Sequence, residues 1–281
     1  MPTVQSLKKK LRVIRSTQKL TKAMKNASTV KYSKLSTLYG DYVGYESQCA
    51  SVYNICRSGF GAYFAGADKN APLCYVVLTS NKGMNGSFNP DILAFADNII
   101  KSEKEQPHVY VCGRKGHEYF RNKKLAFEKF CELSDVPSYE EASALFEDIL
   151  SLVKSGKASG VKLIYPEYVN MMVQKPRCAA LYESSDEKSS SDEDILFLPD
   201  KETFTANTAG RILVSVIYKK MLETALGAQA ATLTAMRSAY DTACEYCEQL
   251  ERDINRKRQS QVTSDVIESS SEFSQGGMLN G

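Results

Sequence analysis

The chain has 281 residues, 43% of them hydrophobic and 25% charged, and a formal net charge of +3. That size allows one or two domains with a sizeable core, and that composition fits a folded soluble protein. No stretch approaches the roughly 20 apolar residues that would span a bilayer, and a near-neutral total argues against a uniformly basic, nucleic-acid-binding chain.

The charge is partitioned. The first 34 residues carry ten Lys or Arg and no acid, and the first acid is Asp41. Val4, Leu7, Leu11 and Ile14 recur at the spacing of one helix face, and Lys8, Arg12, Arg15, Lys19 and Lys22 form a basic column beside it. So many positives would repel each other and want a counter-charge. A solvated face, nucleic acid and an acidic protein partner are the three readings. Nucleic acid would need only phosphate contacts, but the aromatic interleaving used for base stacking is missing; the first aromatic is Tyr32. The start shows no apolar core of a secretory signal. A basic, acid-free start also fits a mitochondrial transit peptide, but the pattern runs on past the point where a removable leader should stop.

Pro2 precedes the first helix, and the other seven prolines lie between Pro72 and Pro199. Both ends are therefore free to be long helices, and the middle is not. The first helix is expected over 3–58, with Leu35, Leu38, Tyr42, Tyr45, Cys49, Val52 and Cys56 continuing the seam and Gly59 and Gly61 as stops. At ~1.5 Å per residue it would be roughly 80 Å long.

The middle alternates. Leu73–Thr79 reads as a strand buried on both faces, residues 80–89 as a turn, and Pro90 and Asp91 open a helix through Ile100. His108–Cys112 is a second strand, 138–154 a helix and Val161–Tyr165 a third strand. The runs 171–183 and 195–198 read as a hairpin or edge strands. This alternation implies an α/β layer with a largely parallel sheet. The stretch 184–194 has five acids in eleven residues and reads as a mobile surface loop.

The last helix starts near Thr203 and is expected to reach about residue 270. Its seam is Leu222, Leu226, Gln229, Leu233, Met236, Tyr240, Ala243, Cys247, Leu250 and Ile254. Two such seams at opposite ends of one chain, with a compact middle between them, predict an antiparallel pairing. The division is 1–60 for the N-terminal coiled-coil helix, 70–200 for the α/β domain with its acidic loop 184–194, and 205–275 for the C-terminal coiled-coil helix.

Signals for chemistry are sparse. There is no P-loop and no dinucleotide glycine fingerprint. His108 and His117 are the two histidines, and each reads as a solvated or satisfied side chain. No Cys/His spacing suits zinc, so neither a metal nor a cofactor is expected. The eight cysteines, scattered in a chain without an export signal, read as reduced thiols; Cys244 and Cys247 read as helix packing. The 80–89 turn, with Gly83, Gly86 and Lys82, could hold a phosphate on free backbone N–H groups, but the plain reading, a tight strand-to-helix turn, is favoured.

The run KKKLRVIRSTQKLTKAMK (8–25) resembles the amino-terminal helix of the gamma subunits of F-type ATP synthases, with Thr17, Lys19, Leu20, Thr21, Ala23 and Met24 at the family's places. TSNKGMNGSFN (79–89) is similar to the family's glycine-bearing turn. Thr234, Ala235 and Met236 match the T-A-M of its last helix, and RQSQVTSDVIE (258–268) its tail. Four motifs in order cover nearly the whole chain. Departures are Asn81, Lys82 and Asn85 in the turn, the segment Gly227–Thr232 before T-A-M, and the final SSEFSQGGMLNG.

The resemblance implies a long antiparallel coiled coil on a Rossmann-like α/β foot. It implies a non-catalytic central-stalk rotor inside a ring of alpha and beta subunits, coupling ion-driven rotation of a c-ring to ATP synthesis or hydrolysis at the beta sites. Lys19, Lys22, Met24, Lys82, Gly83, Asn85, Arg258, Gln259 and Thr263 match positions that meet alpha or beta. The foot would carry the epsilon subunit and rest on the c-ring, the chain's one route to the membrane. The expected place is the cytoplasmic side of a bacterial plasma membrane. No inserted cysteine pair of the chloroplast sort is evident, so thiol control is not expected. The rival readings are a nucleic-acid-binding coiled coil and an α/β enzyme using the 80–89 turn.

Overall fold

The structure, a computed structural model, describes residues 3–48, 52, 60, 70–182 and 200–276. In chain order the elements are α1 (Val4–Gln48), β1 (Cys74–Leu78), α2 (Phe88–Ser102), β2 (His108–Cys112), α3 (Arg114–Asn122), β3 (Lys129–Cys131), α4 (Tyr139–Lys154), β4 (Val161–Tyr168), β5 (Gln174–Ala180) and α5 (Lys201–Gly276). The chain divides into two compact units. A central unit comprises Ser28–Thr234, and an end unit joins Met1–Ala27 to Ala235–Gly281. The boundary between them cuts through both long helices.

In the central unit the five strands lie in the order β3-β2-β1-β4-β5. β1 pairs in parallel with β2 and β4, β2 in parallel with β3, and β4 antiparallel with β5. The sequence of β1, CYVVL, has no polar position because every residue is buried, as a strand covered on both faces requires. Cys74, Val76 and Leu78 face α4 and α5; Tyr75 and Val77 face α2 and α3.

α4 starts where the sequence provides a capping box: the Glu141 N–H donates to Ser138 Oγ at 3.3 Å, and the Ser138 N–H donates back to Glu141 Oε2 at 3.4 Å. It buries Ala142, Leu145, Phe146, Ile149 and Val153, the three-four spacing of a single face. Two elements carried no usable period. α3 is polar except for the buried Gly116 and Phe120, and β3 has three residues. α3 is possible because Gly113, at φ +93, begins it; a Cβ there would lie 2.3 Å from the Thr79 carbonyl oxygen.

The expected third strand is longer than its apolar core. β4 runs on to Tyr168 and pairs with β5, placing Pro166 opposite Pro176. Pro176 is tolerated because β5 is an edge strand, where a missing N–H costs least, and Pro166 because the pairing of β4 with β1 has already ended at Ile164. The proposed partner run 195–198 lies outside the described residues, as do the acidic loop and the stretch carrying Cys49 and Cys56.

The long helices confirm the seams with one correction. On α5, Leu222, Leu226, Leu233, Met236, Ala243 and Cys247 are buried, and Gln229, Tyr240, Leu250 and Ile254 are half-buried. On α1, Leu7, Leu11 and Leu35 are buried and Ile14 half-buried. Tyr45, expected on the seam, is 57% exposed. Glu46 faces inward instead and pairs with Lys219 of α5, while Tyr39 packs edge-on against Tyr168. A helix of 3.6 residues per turn drifts away from a strict 3.5-residue repeat, and the glycines at 40 and 44 leave the drift uncorrected.

Candidate partner-binding surfaces

The switch point of a parallel sheet is where strand order reverses, and ligands of such folds sit there, beyond the carboxyl ends of the strands. Here it lies between β1 and β4, and the 80–89 turn follows β1. The turn satisfies its own polar groups. The Ser80 N–H donates to Asn89 Oδ1 at 3.1 Å, Asn85 Nδ2 donates to Ser80 Oγ at 3.0 Å, and Asn89 Nδ2 donates to Ser80 Oγ at 2.8 Å and to Asn85 Oδ1 at 3.2 Å. Thr79 Oγ1 donates to the Cys112 carbonyl at 2.8 Å and accepts from the Gly116 N–H at 2.9 Å. Asn81 bridges the Leu133 carbonyl and the Arg114 N–H.

The crevice beyond the turn holds the chain's own helix. Met221, Thr224, Ala225, Ala228, Gln229 and Thr232 of α5 close it, leaving about 40 Å³. A small-molecule site needs roughly 300–1,000 Å³. Gly227 explains how the helix comes so near: a Cβ there would meet Phe88 at 3.1 Å and Gln174 at 3.2 Å. The departure from the family pattern at this position therefore has a packing reason. A larger hollow, about 1540 Å³, lies elsewhere in the central unit, between Tyr42, Glu46, Tyr139, Phe146, Arg211 and Ser215, with Glu46 already paired. Among the described residues no group of acids, histidines and cysteines could hold a metal ion.

The residues singled out in the turn have unequal roles. Lys82 is exposed, and its Nζ lies 2.6 Å from Asp135 Oδ2, which also takes Lys31 Nζ of α1 at 2.5 Å. The two ammonium groups hold the Asp135 carboxyl below its usual range, Lys31 most strongly, and Asp135 in turn raises Lys82. Gly83 is half-buried beside the Lys115 side chain, whose Cε would lie 3.5 Å from a Cβ added at this glycine. Asn85 is 4% exposed and its side chain serves the turn itself. The residue that projects is Met84, in the left-handed region at φ +63 and 64% exposed; the family motif gives it no weight.

In the end unit the helices run antiparallel: Arg15 pairs with Glu251 at 2.6 Å, Gln18 Nε2 donates to Cys244 Sγ at 3.0 Å, and Lys25 lies over the Tyr240 ring. The predicted counter-charge is thus partly internal, through Glu251. Lys8, Arg12, Lys19 and Lys22 are exposed, and among the described residues they make no ion pair. Met24 is half-buried. Val13 and Leu20, both more than half exposed, stand among these cations, an apolar component that seam counting overlooked. On α5 every described side chain from Arg258 to Ser270 is exposed. Arg258, Gln259 and Thr263 belong to this exposed stretch, with Val262, Val266 and Ile267 beside them; the Thr263 hydroxyl is turned back onto the Gln259 carbonyl at 2.9 Å.

Paired long helices, a sheet whose ligand crevice is filled from within, and exposed cations interleaved with exposed apolar side chains describe a subunit built to be gripped by other chains. The family model of ATP synthase matches residues 3–271, and the chain belongs to that family. It is 27% identical over 278 residues to the ATP synthase gamma chain of Desulfitobacterium hafniense, covering 95% of this chain and 97% of that one. It is 26% identical over 279 residues to that of Rubrobacter xylanophilus, covering 95% and 96%. Among solved structures the fold matches the rotor of the Euglena gracilis mitochondrial ATP synthase, with a TM-score of 0.69 at 15% identity over 92% of this chain and 98% of that one. It also matches the central stalk and c-ring structure of the Tetrahymena thermophila mitochondrial enzyme, with a TM-score of 0.61 at 18% identity over 78% and 99%.

Proposed function

We infer that this chain is the central-stalk rotor subunit of an F-type ATP synthase, coupling ion-driven rotation of a c-ring to ATP synthesis or hydrolysis. The observation that carries this reading is the family match over nearly the whole chain, with gamma chains as its named relatives. The subunit itself is non-catalytic. Supporting that, α5 fills the crevice at the switch point, where a fold of this kind takes a nucleotide, and the turn beside it spends its polar groups internally. ATP chemistry then belongs to the beta subunits.

The alpha and beta subunits surround the end unit, with Lys19, Lys22 and Met24 on one helix and Arg258, Gln259 and Thr263 on the other as contacts. Lys82 and Gly83 present the turn to beta, and Asn85 acts by holding the turn's shape. The central unit carries epsilon and rests on the c-ring. The chain reaches the membrane through that ring, on the cytoplasmic side of a bacterial plasma membrane. In support, no helix among the described residues is long and apolar enough to cross one, and the named sequence relatives are bacterial. No observation favours the nucleic-acid reading.

The test is the double charge reversal Lys19→Glu with Lys22→Glu, assembled with its alpha and beta partners. ATP hydrolysis should fall several-fold and proton pumping per ATP should drop, while the isolated chain unfolds at the same temperature as the parent, because both lysines are exposed and unpaired. Unchanged hydrolysis and pumping would remove these two residues from the interface.

A further inference from the structure

The fold brings together two cysteines that lie far apart in sequence. β2 ends at Cys112 and β3 ends at Cys131, and the parallel register makes them direct partners. Neighbouring strands lie about 4.7–4.9 Å apart, within the roughly 4.4–6.8 Å between Cα atoms that a disulfide spans. Partners in a parallel register project to the same face, and both thiols lie on the side covered by α4: Cys112 is in that core and Cys131 packs against it. Both are free thiols. β3 is a three-residue edge strand, so the small adjustment a bond requires falls on the part of the sheet with the fewest neighbours. We propose that Cys112 and Cys131 form a reversible disulfide site within the sheet, closed by peroxide and opened by thiol reductants.

The chemistry assigns different parts to the two sulfurs. Cys112 is wholly buried and Cys131 only partly, so an oxidant from solvent reaches Cys131 first. A hydrogen bond from the Cys112 thiol lowers the Cys131 thiol below its ordinary range, with Lys129 nearby adding to it, while the same contact together with burial raises Cys112 well above. Cys131 is therefore the more readily ionised sulfur, and the thiolate is the reactive form. Its sulfur attacks hydrogen peroxide, forming an S–O bond and breaking the O–O bond, with hydroxide leaving. The sulfur of Cys112 then displaces hydroxide from the sulfenic acid: the S–S bond forms, the S–O bond breaks, and the thiol proton goes to the departing oxygen. Overall two thiols and one peroxide give one disulfide and two waters. Of the other described cysteines, Cys74, on the same face, is paired in register with His108, and Cys244 and Cys247 stand three apart on α5.

The test exposes the assembled complex to hydrogen peroxide, alkylates the remaining thiols and digests it for mass spectrometry. Two of the chain's eight thiols should disappear together into a Cys112–Cys131 linked peptide, and dithiothreitol should restore both. In Cys112→Ser, a sulfenic-acid trap should label Cys131, which then passes to sulfinic acid because no resolving thiol remains. In Cys131→Ser, Cys112 should stay reduced at the same peroxide concentration. The proposal is overturned if wild-type Cys131 accumulates sulfenic or sulfinic acid while Cys112 stays a thiol. A link joining other cysteines, or a Cys131 inert to peroxide throughout, overturns it equally.

Discussion

Asp135 balances two lysines from different parts of the chain, Lys31 of α1 and Lys82 of the turn. Its folded-state carboxyl lies below the usual value, so its contribution is fully present above the unfolded-state value of about 3.9 and is lost as pH falls through the lower folded one. Asp135→Asn should therefore cost about 1 kcal/mol at neutral pH, the upper range for partly exposed pairs. The difference from the parent should shrink below about pH 4, as read by urea unfolding at several pH values. Nothing in the sequence marked Asp135, because its partners stand far away along the chain. The motif singled out Lys82, Gly83 and Asn85 as partner contacts; what the folded turn adds is that Lys82 pairs with Asp135 and that the Asn85 amide is committed to Ser80 and Asn89.

At the scale of elements, the period of α5 was fully legible: every seam side chain is buried or half-buried. The α1 seam was legible as far as Tyr42, which packs against Tyr218 of α5, and then misassigned at Tyr45. Truncations separate the two cases. Leu226→Ala, at a position 1% exposed, should lower stability by about 2–5 kcal/mol, whereas Tyr45→Ala should change it by no more than about 0.5 kcal/mol. Denaturant midpoints of the isolated chain would show both. The crevice gives a third case: Gly227→Val forces branched carbon against Phe88 and Gln174 and should cost about 1–3 kcal/mol. β1, β2 and α4 were readable, the strands from apolar runs and the helix over 138–154. α3 and β3 were not, since one is polar and the other too short to show a period.

At the scale of the whole molecule, the partition of charge along the chain was the strongest signal, and four ordered motifs turned it into a family. The same partition hid a detail. A basic stretch without an acid suggests a face given over wholly to an external partner, yet Arg15 finds Glu251 within the chain. Composition cannot show this, because pairing depends on antiparallel register and not on counts.

From Arg258 to Ser270 every side chain of α5 meets water. A lone helix of that length is marginal in water, so its backbone amides in the purified subunit should exchange with deuterium orders of magnitude faster than those around Leu226. On incorporation into the full enzyme the same amides should become slow. Trypsin, offered Arg256, Lys257 and Arg258 in a row, should nick the purified subunit there and spare the assembled one. The last turns of this chain would thus gain their permanence from neighbours, and the subunit would be finished only when its surroundings are.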